Sequence, residues 1–298
     1  MKSELPLLSI FCITYNHAPY IKDAIEGFLQ QKTNFPVEIV IHDDASTDGT
    51  DNIIKEYEKK YPELIIPIYE KENQYSQGVR INRDIMMPKI RGKYMAICEG
   101  DDYWTNPNKL QKQVDYLEQH EECSAVVHRS NVLYNEKFIF SRTCFNGEKD
   151  FDAEEIILGG GAFVSTASIV CRTEYARKFP SYRLMTNTGD YSLMVLLASK
   201  GKVHYFPEVM SNYRFQVPGS WTYNVLNDKK FEKDHMLSFV LWYIAANNDT
   251  MRKYENAFRP GFEYYLTWLC RRKFISIEDA LTYLEDFESG GDVRDIIL

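Results

Sequence analysis

Lys93-Tyr94-Met95-Ala96-Ile97-Cys98-Glu99-Gly100-Asp101-Asp102-Tyr103-Trp104 opens as an apolar run and ends on a cluster of carboxylates. Tyr94 to Cys98 reads as a buried strand, and acids at its carboxyl end face the crevice where open α/β sheets bind ligands. The same device occurs upstream, where the apolar strand Val37 to His42 ends on Asp43-Asp44 and the polar turn Ala45-Ser46-Thr47-Asp48-Gly49-Thr50. Two acidic strand ends in one chain suggest a metal-dependent site for a phosphorylated substrate, since hard carboxylate oxygens suit Mg²⁺ or Mn²⁺ bridging phosphates.

Outward from these stretches, strands and helices alternate. Strands are expected over 7–14, 37–42, 64–69 and 94–98, with helices over 20–31, 50–60, 78–87 and 107–120. Ile21, Ile25, Phe28 and Leu29 share one face of the first helix. Each parallel crossover needs a helix, so a mostly parallel central sheet flanked by helices follows, an α/β fold. Residues 125–134 add a strand, 138–152 a polar loop or short hairpin, 154–158 a short helix and 165–171 a strand of small side chains. A helix over 189–199 and short strands over 203–206 and 209–214 come next. Helices are expected over 230–246, 252–270 and 276–288, with Ser276 and Asp279 in a capping-box pattern. The chain thus divides into a ligand-binding, catalytic domain at 1–224 and a helical C-terminal extension at 225–298.

The 298 residues carry 35 basic and 43 acidic side chains, a net charge of −8, and no basic block. Sequence-independent nucleic-acid binding has little support from that balance. The six cysteines are scattered without CxxC spacing, which fits reduced thiols in a cytosolic protein. Met1 to Pro6 lacks the apolar stretch of a signal peptide, and the run from Met236 to Ala246 is too short to span a bilayer. No GxxxxGK[ST] loop and no dinucleotide-fold glycine spacing are present, which argues against a kinase or a dehydrogenase.

Ser9-Ile10-Phe11-Cys12-Ile13-Thr14-Tyr15-Asn16, then Ile39-Val40-Ile41-His42-Asp43-Asp44-Ala45-Ser46-Thr47-Asp48-Gly49-Thr50, then Glu99-Gly100-Asp101-Asp102, resemble the family 2 glycosyltransferases in order and spacing. The resemblance is strong over 7–120, extends to about residue 221 and fades beyond it. It implies a GT-A fold, a nucleotide-diphosphate sugar as donor, a divalent cation (Mn²⁺ or Mg²⁺) and transfer with inversion at the sugar carbon.

By the same resemblance Tyr15 packs on the nucleobase and Asp44 accepts the base N–H. Packing on the neighbouring helix and helix capping are their structural alternatives. Asp101 is the implied metal ligand, with Glu99 standing where the family usually has the first aspartate of its acidic motif. Arg80 and Arg214 are placed to contact the donor diphosphate, or else to pair with surface groups. Asp190, in Asn187-Thr188-Gly189-Asp190-Tyr191, matches the position of the base that deprotonates the acceptor, and a helix N-terminus favours its ionised form. Gln216 stands where many relatives have a metal-binding histidine. Trp104, Ser165, Thr166 and Trp221 are candidates for the acceptor pocket or its wall.

Trp242, Trp268 and Arg271-Arg272-Lys273 in the C-terminal helices would suit an element resting on the inner face of a membrane beside a lipid-linked acceptor. Helices covering a core show the same pattern. The resulting expectation is a cytoplasmic, metal-dependent glycosyltransferase, peripheral at most to the membrane, acting on a nucleotide sugar and a glycan acceptor. Oligomeric state, donor and acceptor are open. A metal-dependent nucleotidyltransferase, or a non-catalytic nucleotide-sugar or carbohydrate-binding protein, are the alternatives.

Overall fold

Strands β1 (Leu8–Thr14), β2 (Val37–Asp43), β3 (Ile65–Tyr69) and β4 (Tyr94–Ile97) lie in the order β3-β2-β1-β4, all parallel. The crossovers carry α1 (Ile21–Leu29) and α2 (Thr50–Lys60), and α3 (Lys109–Gln119) follows the acidic end of β4. The computed structural model describes residues 5–186 and 189–293.

Beyond β4 the sheet becomes mixed. The short β9 (Val170–Arg172) runs antiparallel between β4 and β6 (Cys123–Tyr134), β10 (Lys202–Arg214) is parallel to β6, and β5 (Tyr103–Trp104) is antiparallel to β10. β7 (Lys137–Arg142) folds back on β6, and β8 (Lys149–Phe151) pairs with β10. The β6–β7 turn is made by Asn135 and Glu136, both at positive φ (49° and 59°), the conformation that matches the twist of a tight hairpin. Helices α4 (Ala153–Gly159), α5 (Thr173–Ala176), α6 (Gly189–Lys200) and α7 (Trp221–Asn227) lead to α8 (Lys229–Asp249), α9 (Glu255–Arg271) and α10 (Ile277–Ser289).

Alternation along the strands divides the core. Ile10, Ile39 and Ile41 pack with Ile25, Phe28, Ile54 and Leu110 on one face. Phe11, Val40 and Met95 pack with Met86, Leu193 and Leu197 on the other. A third cluster joins α8, α9 and α10 to Ile157 of α4 and to Tyr191, Val195 and Leu196 of α6. Among the described residues, no helix is long and apolar enough to cross a membrane. All six cysteines are free thiols.

Three elements differ from expectation. The helix expected over 78–87 is a 3₁₀ turn at Tyr75–Gln77 followed by one π-helical turn at Ile81–Met86, where the Met87 N–H reaches the Asn82 carbonyl at 3.0 Å. Such wide turns are uncommon and often found at functional sites. The strand expected over 165–171 is a 3₁₀ turn at Thr166–Ser168 with only Val170–Arg172 extended. The two strands expected over 203–214 are one, β10, whose register against β6 slips between Phe206 and Val209. Pro207 lies at that slip, and without an N–H it cannot donate to the ladder.

Candidate active site

The loops after β1 and β2 are laced together. The Asn16 N–H donates to Ser46 Oγ (2.8 Å), the His17 N–H to Thr50 Oγ1 (2.9 Å), and the Ala18 N–H to Asp48 Oδ2 (2.9 Å). Tyr15 projects from this lattice with 45% of its surface exposed. Asp44 is buried, and its carboxylate accepts the N–H groups of Gln74 (2.7 Å) and Tyr75 (3.1 Å), which fixes the loop after β3 beside the β2 end. Asp43 is occupied by the Ser46 hydroxyl and amide (2.5 and 3.2 Å), while burial raises its pKa.

The acidic motif after β4 forms the floor. Gly100 is required there by space, since a Cβ on it would lie 2.7 Å from Thr14 Oγ1 and 3.0 Å from His17 Nδ1. Burial pushes Glu99 up to about 8, with further repulsion from Asp101 and Asp190. Asp190 belongs to α6, so two distant parts of the chain bring carboxylates together. Asp102 turns inward; its Oδ1 accepts the Arg214 N–H (2.9 Å), and burial followed by the Asp101 charge holds its carboxyl well above the usual range.

Asp190 is the second residue of α6. Its Oδ2 accepts the Thr166 hydroxyl (3.0 Å) and its Oδ1 the Tyr191 N–H (2.7 Å). The helix N-terminus was expected to lower its pKa. Burial outweighs these hydrogen bonds and the Arg142 charge, and the pKa is raised. Ile156, Gly160, Gly161, Phe163 and Val164 line a shallow recess with Asp190. Ser165 is buried with its hydroxyl unbonded within the protein, next to the Thr166 that holds Asp190.

Two expected contacts take other roles. Trp104 does not wall the pocket; it is 1% exposed, packs edge-to-face on Phe28, and donates its indole N–H to the Ala167 carbonyl at 2.8 Å. That bond braces the turn carrying Thr166. Arg214, expected on the diphosphate, is buried behind the acidic motif. Its guanidinium donates to Glu136 (2.6 Å), Asp23 (2.6 Å) and the Asp101 carbonyl (2.8 Å), with Tyr103 and Tyr20 packed on it. A fork so occupied positions the motif from behind. Arg80 donates to the Leu184 carbonyl at 2.8 Å, linking the loop after β3 to the segment that leads into α6. Trp221 stacks edge-to-face on His235 at 4.3 Å, at the start of α7. Gln216 lies in the turn after β10 at φ 60°. Asn187 and Thr188 lie outside the described residues.

Among the described residues, no three His, Cys, Asp or Glu side chains form a ready-made metal cage. The fit to a divalent cation is of another kind. Glu99 and Asp101 are close enough to repel, and His17 Nε2 stands 3.9 Å from Asp101 Oδ2. A Mg²⁺-type ion needs only one or two carboxylates when phosphates and water complete its shell. The residues fit such an ion.

His17 and Arg142 escaped the sequence reading as site residues. His17 sits one residue beyond the quoted Tyr15-Asn16, a local signal that could have been used. Arg142 ends the run Phe138-Ile139-Phe140-Ser141-Arg142, within the stretch read as a loop or short hairpin, and only the pairing of β7 with β6 brings it to the site.

A family model described as Glycosyl transferase family 2 matches residues 9–180. An uncharacterized protein of Mycobacterium tuberculosis is 38% identical over 228 residues, 75% of this chain and 63% of that protein. The chain thus spans less than two thirds of that relative's length. UDP-Glc:alpha-D-GlcNAc-diphosphoundecaprenol beta-1,3-glucosyltransferase WfaP of Escherichia coli is 28% identical over 205 residues, 66% of this chain and 72% of that protein. Among solved structures, S. aureus TarS 1–349 in complex with UDP-GlcNAc superposes with a TM-score of 0.67 at 16% identity, covering 98% of this chain and 83% of that one. The mannosyltransferase PcManGT from Pyrobaculum calidifontis, in complex with GDP-Man and Mn²⁺, gives 0.56 at 14% identity, covering 99% and 86%. At such identities the likeness concerns the fold, which is the GT-A fold expected from the sequence.

Proposed function

The chain belongs to glycosyl transferase family 2, and from that premise we propose that it moves a sugar from a nucleotide-diphosphate sugar to a saccharide or lipid-linked saccharide hydroxyl, with inversion. The observation that carries this reading is the convergence of Glu99 and Asp101 from the β4 end with Asp190 from α6. Tyr15 and Asp44, at the two strand ends beside the motif, are assigned to the base. Arg80 is assigned to the diphosphate.

Asp190 takes the proton of the acceptor hydroxyl, whose oxygen then attacks the anomeric carbon opposite the departing diphosphate. Its raised pKa suits that work, because a base is most effective when its pKa approaches the working pH. Thr166 and the Tyr191 N–H hold the carboxylate in one orientation. Asp101, with Glu99, would hold a divalent cation, which when bound supplies positive charge to the departing diphosphate. WfaP supports a lipid-linked acceptor through the acceptor named for it, and the TarS and PcManGT complexes support a nucleotide-sugar donor.

A thermal-shift panel of UDP-, GDP- and other nucleotide sugars with Mn²⁺, Mg²⁺ or EDTA tests the donor. One donor should stabilise the protein, and EDTA should reverse the shift. Asp190→Asn should then lower transfer roughly 10²–10⁴-fold while leaving donor binding intact. Full transfer by that variant would remove Asp190 from the base role.

A further inference from the structure

Arg142 closes strand β7, and its guanidinium lies 5.2 Å from the centre of the Tyr213 ring. Tyr213 in turn shares a hydrogen bond with Thr222 of α7 at 2.9 Å. Strand β7, β10 and α7 therefore meet around this arginine. Among the described residues, its side chain makes no hydrogen bond and has no carboxylate within ion-pair distance, and it is partly exposed. Arg214, by contrast, is saturated by carboxylates.

The charge of Arg142 reaches Asp190. The influences on Glu99 are burial, Asp101 and Asp190, without Arg142. Arg142 thus lies nearer to Asp190 than to Glu99, with the Tyr213 ring, which feels Asp102 and Glu99 as well, on the side of the acidic motif. A donor diphosphate belongs with the pair, and an acceptor hydroxyl belongs with Asp190. An anion held by Arg142, nearer to Asp190 than to Glu99, would therefore belong to the acceptor.

We propose that Arg142, held on Tyr213 beside Asp190, is a specificity residue that binds an anionic group of the acceptor, a phosphate or diphosphate ester near the reacting hydroxyl. The inference rests on the glycosyl-transfer reading above. A planar fork stacked on an aromatic ring keeps its donor edge available and recognises two phosphate oxygens at once. The recess beside Asp190, lined by Gly160, Gly161, Phe163 and Val164, has no cationic side chain among its lining residues.

The test uses the full chain saturated with the nucleoside diphosphate that the donor panel selects. Hexose 1-phosphates and the matching free hexoses are the soluble probes, and a short-chain polyprenyl diphosphate hexose in detergent is the lipid one. The phosphorylated probes should raise the melting temperature of the wild-type protein, and Arg142→Gln should lose that rise. In transfer assays the preference for phosphorylated over free acceptor, expected at roughly tenfold or more in kcat/KM, should collapse towards one in Arg142→Gln and be partly kept in Arg142→Lys. A gain only with the polyprenyl probe assigns the anion to a lipid-linked acceptor, and equal gain with hexose 1-phosphate assigns it to a soluble one.

Absence of any stabilisation by phosphorylated probes in the wild-type protein overturns the proposal. Loss of donor affinity in Arg142→Gln also overturns it, by moving the arginine to the donor side. Arg142-dependent binding without transfer from any donor would leave the anion site standing and count against the glycosyl-transfer reading instead.

Discussion

Arg214 is the residue whose environment most constrains its role. A guanidinium that holds Glu136, Asp23 and the Asp101 carbonyl, while its own backbone N–H holds Asp102, joins α1, the β6–β7 turn and the acidic motif. Asp23 and Glu136 are more than half exposed and stay solvated when the cation goes, so Arg214→Ala should cost about 1–3 kcal/mol in chemical denaturation, from lost packing and an unpaired Asp101 carbonyl. Glu136→Gln keeps the shape and should cost less, with donor affinity nearly unchanged. A large loss of donor affinity in Glu136→Gln at full stability would return Arg214 to the diphosphate. Lys109 makes a second test. Its amine is fully buried, has no hydrogen-bond partner, lies 4.1 Å from the Trp104 ring centre, and is pushed down to about 7 by burial from an ordinary 10.5. Between those values the unfolded chain carries a proton that the fold releases, so stability should rise with pH from about 7 to about 10.5. Lys109→Met removes this dependence and should be the more stable protein at pH 7, by up to about 4 kcal/mol. Parallel pH–stability curves for the two proteins would refute the buried neutral amine. Neither role was legible in the sequence. The partners of Arg214 lie 78 and 191 positions away, and a charge pattern does not reveal which distant carboxylate it will meet.

At the scale of elements, β1 and β4 must lie close enough for their ends to share a site, and Gly92 sets that spacing. A Cβ there would fall 2.5 Å from the Ser9 nitrogen and 2.7 Å from the Leu8 carbonyl carbon. The Gly92 N–H also donates to Ser9 Oγ (2.8 Å), which donates to Glu38 (2.5 Å), while the Arg91 guanidinium donates to the same carboxylate (2.7 Å). Gly92→Ala should therefore wedge β1 from β4 and cost about 3 kcal/mol, read by urea denaturation. A cost under about 0.5 kcal/mol would mean that the backbone yields freely there. The strands and helices up to α3 could be read from the sequence because each carries its own period, with apolar residues alternating in β1 and β2 and recurring every three or four positions in α1. The loop after β3 could not. Its 3₁₀ and π turns are held by bonds from Gln74 and Tyr75 to Asp44, a tertiary anchor that no local pattern announces. The turn at Thr166–Ser168 was likewise misread as strand, since small side chains fit either conformation and the bracing bond comes from Trp104.

For the whole molecule, the question is whether residues 225–298 are an appendage or part of the catalytic unit. The third core cluster answers in terms of packing. Trp242 of α8 is fully buried, with its ring 4.9 Å from that of Tyr191 and 5.8 Å from that of Tyr182, and Phe239 lies against Tyr191 as well. Tyr191 follows Asp190 directly, donates its hydroxyl to the Ile157 carbonyl at 2.8 Å, and contributes the N–H that orients the Asp190 carboxylate. The C-terminal helices thus pack on the first turn of the helix that carries Asp190. A chain cut after residue 224 would expose Tyr191, Val195, Leu196 and Ile157 to water and should not fold cooperatively. Trp242→Ala is the finer test. It should cost about 3–5 kcal/mol from the cavity it leaves. Assayed well below its melting temperature, it should lose kcat while donor affinity holds, because Tyr15 and Asp44, proposed above to hold the nucleobase, are not part of this cluster. Unchanged kcat in a folded Trp242→Ala protein would make the helices a cover only. Equal losses in kcat and donor affinity would instead indicate general loosening of the fold.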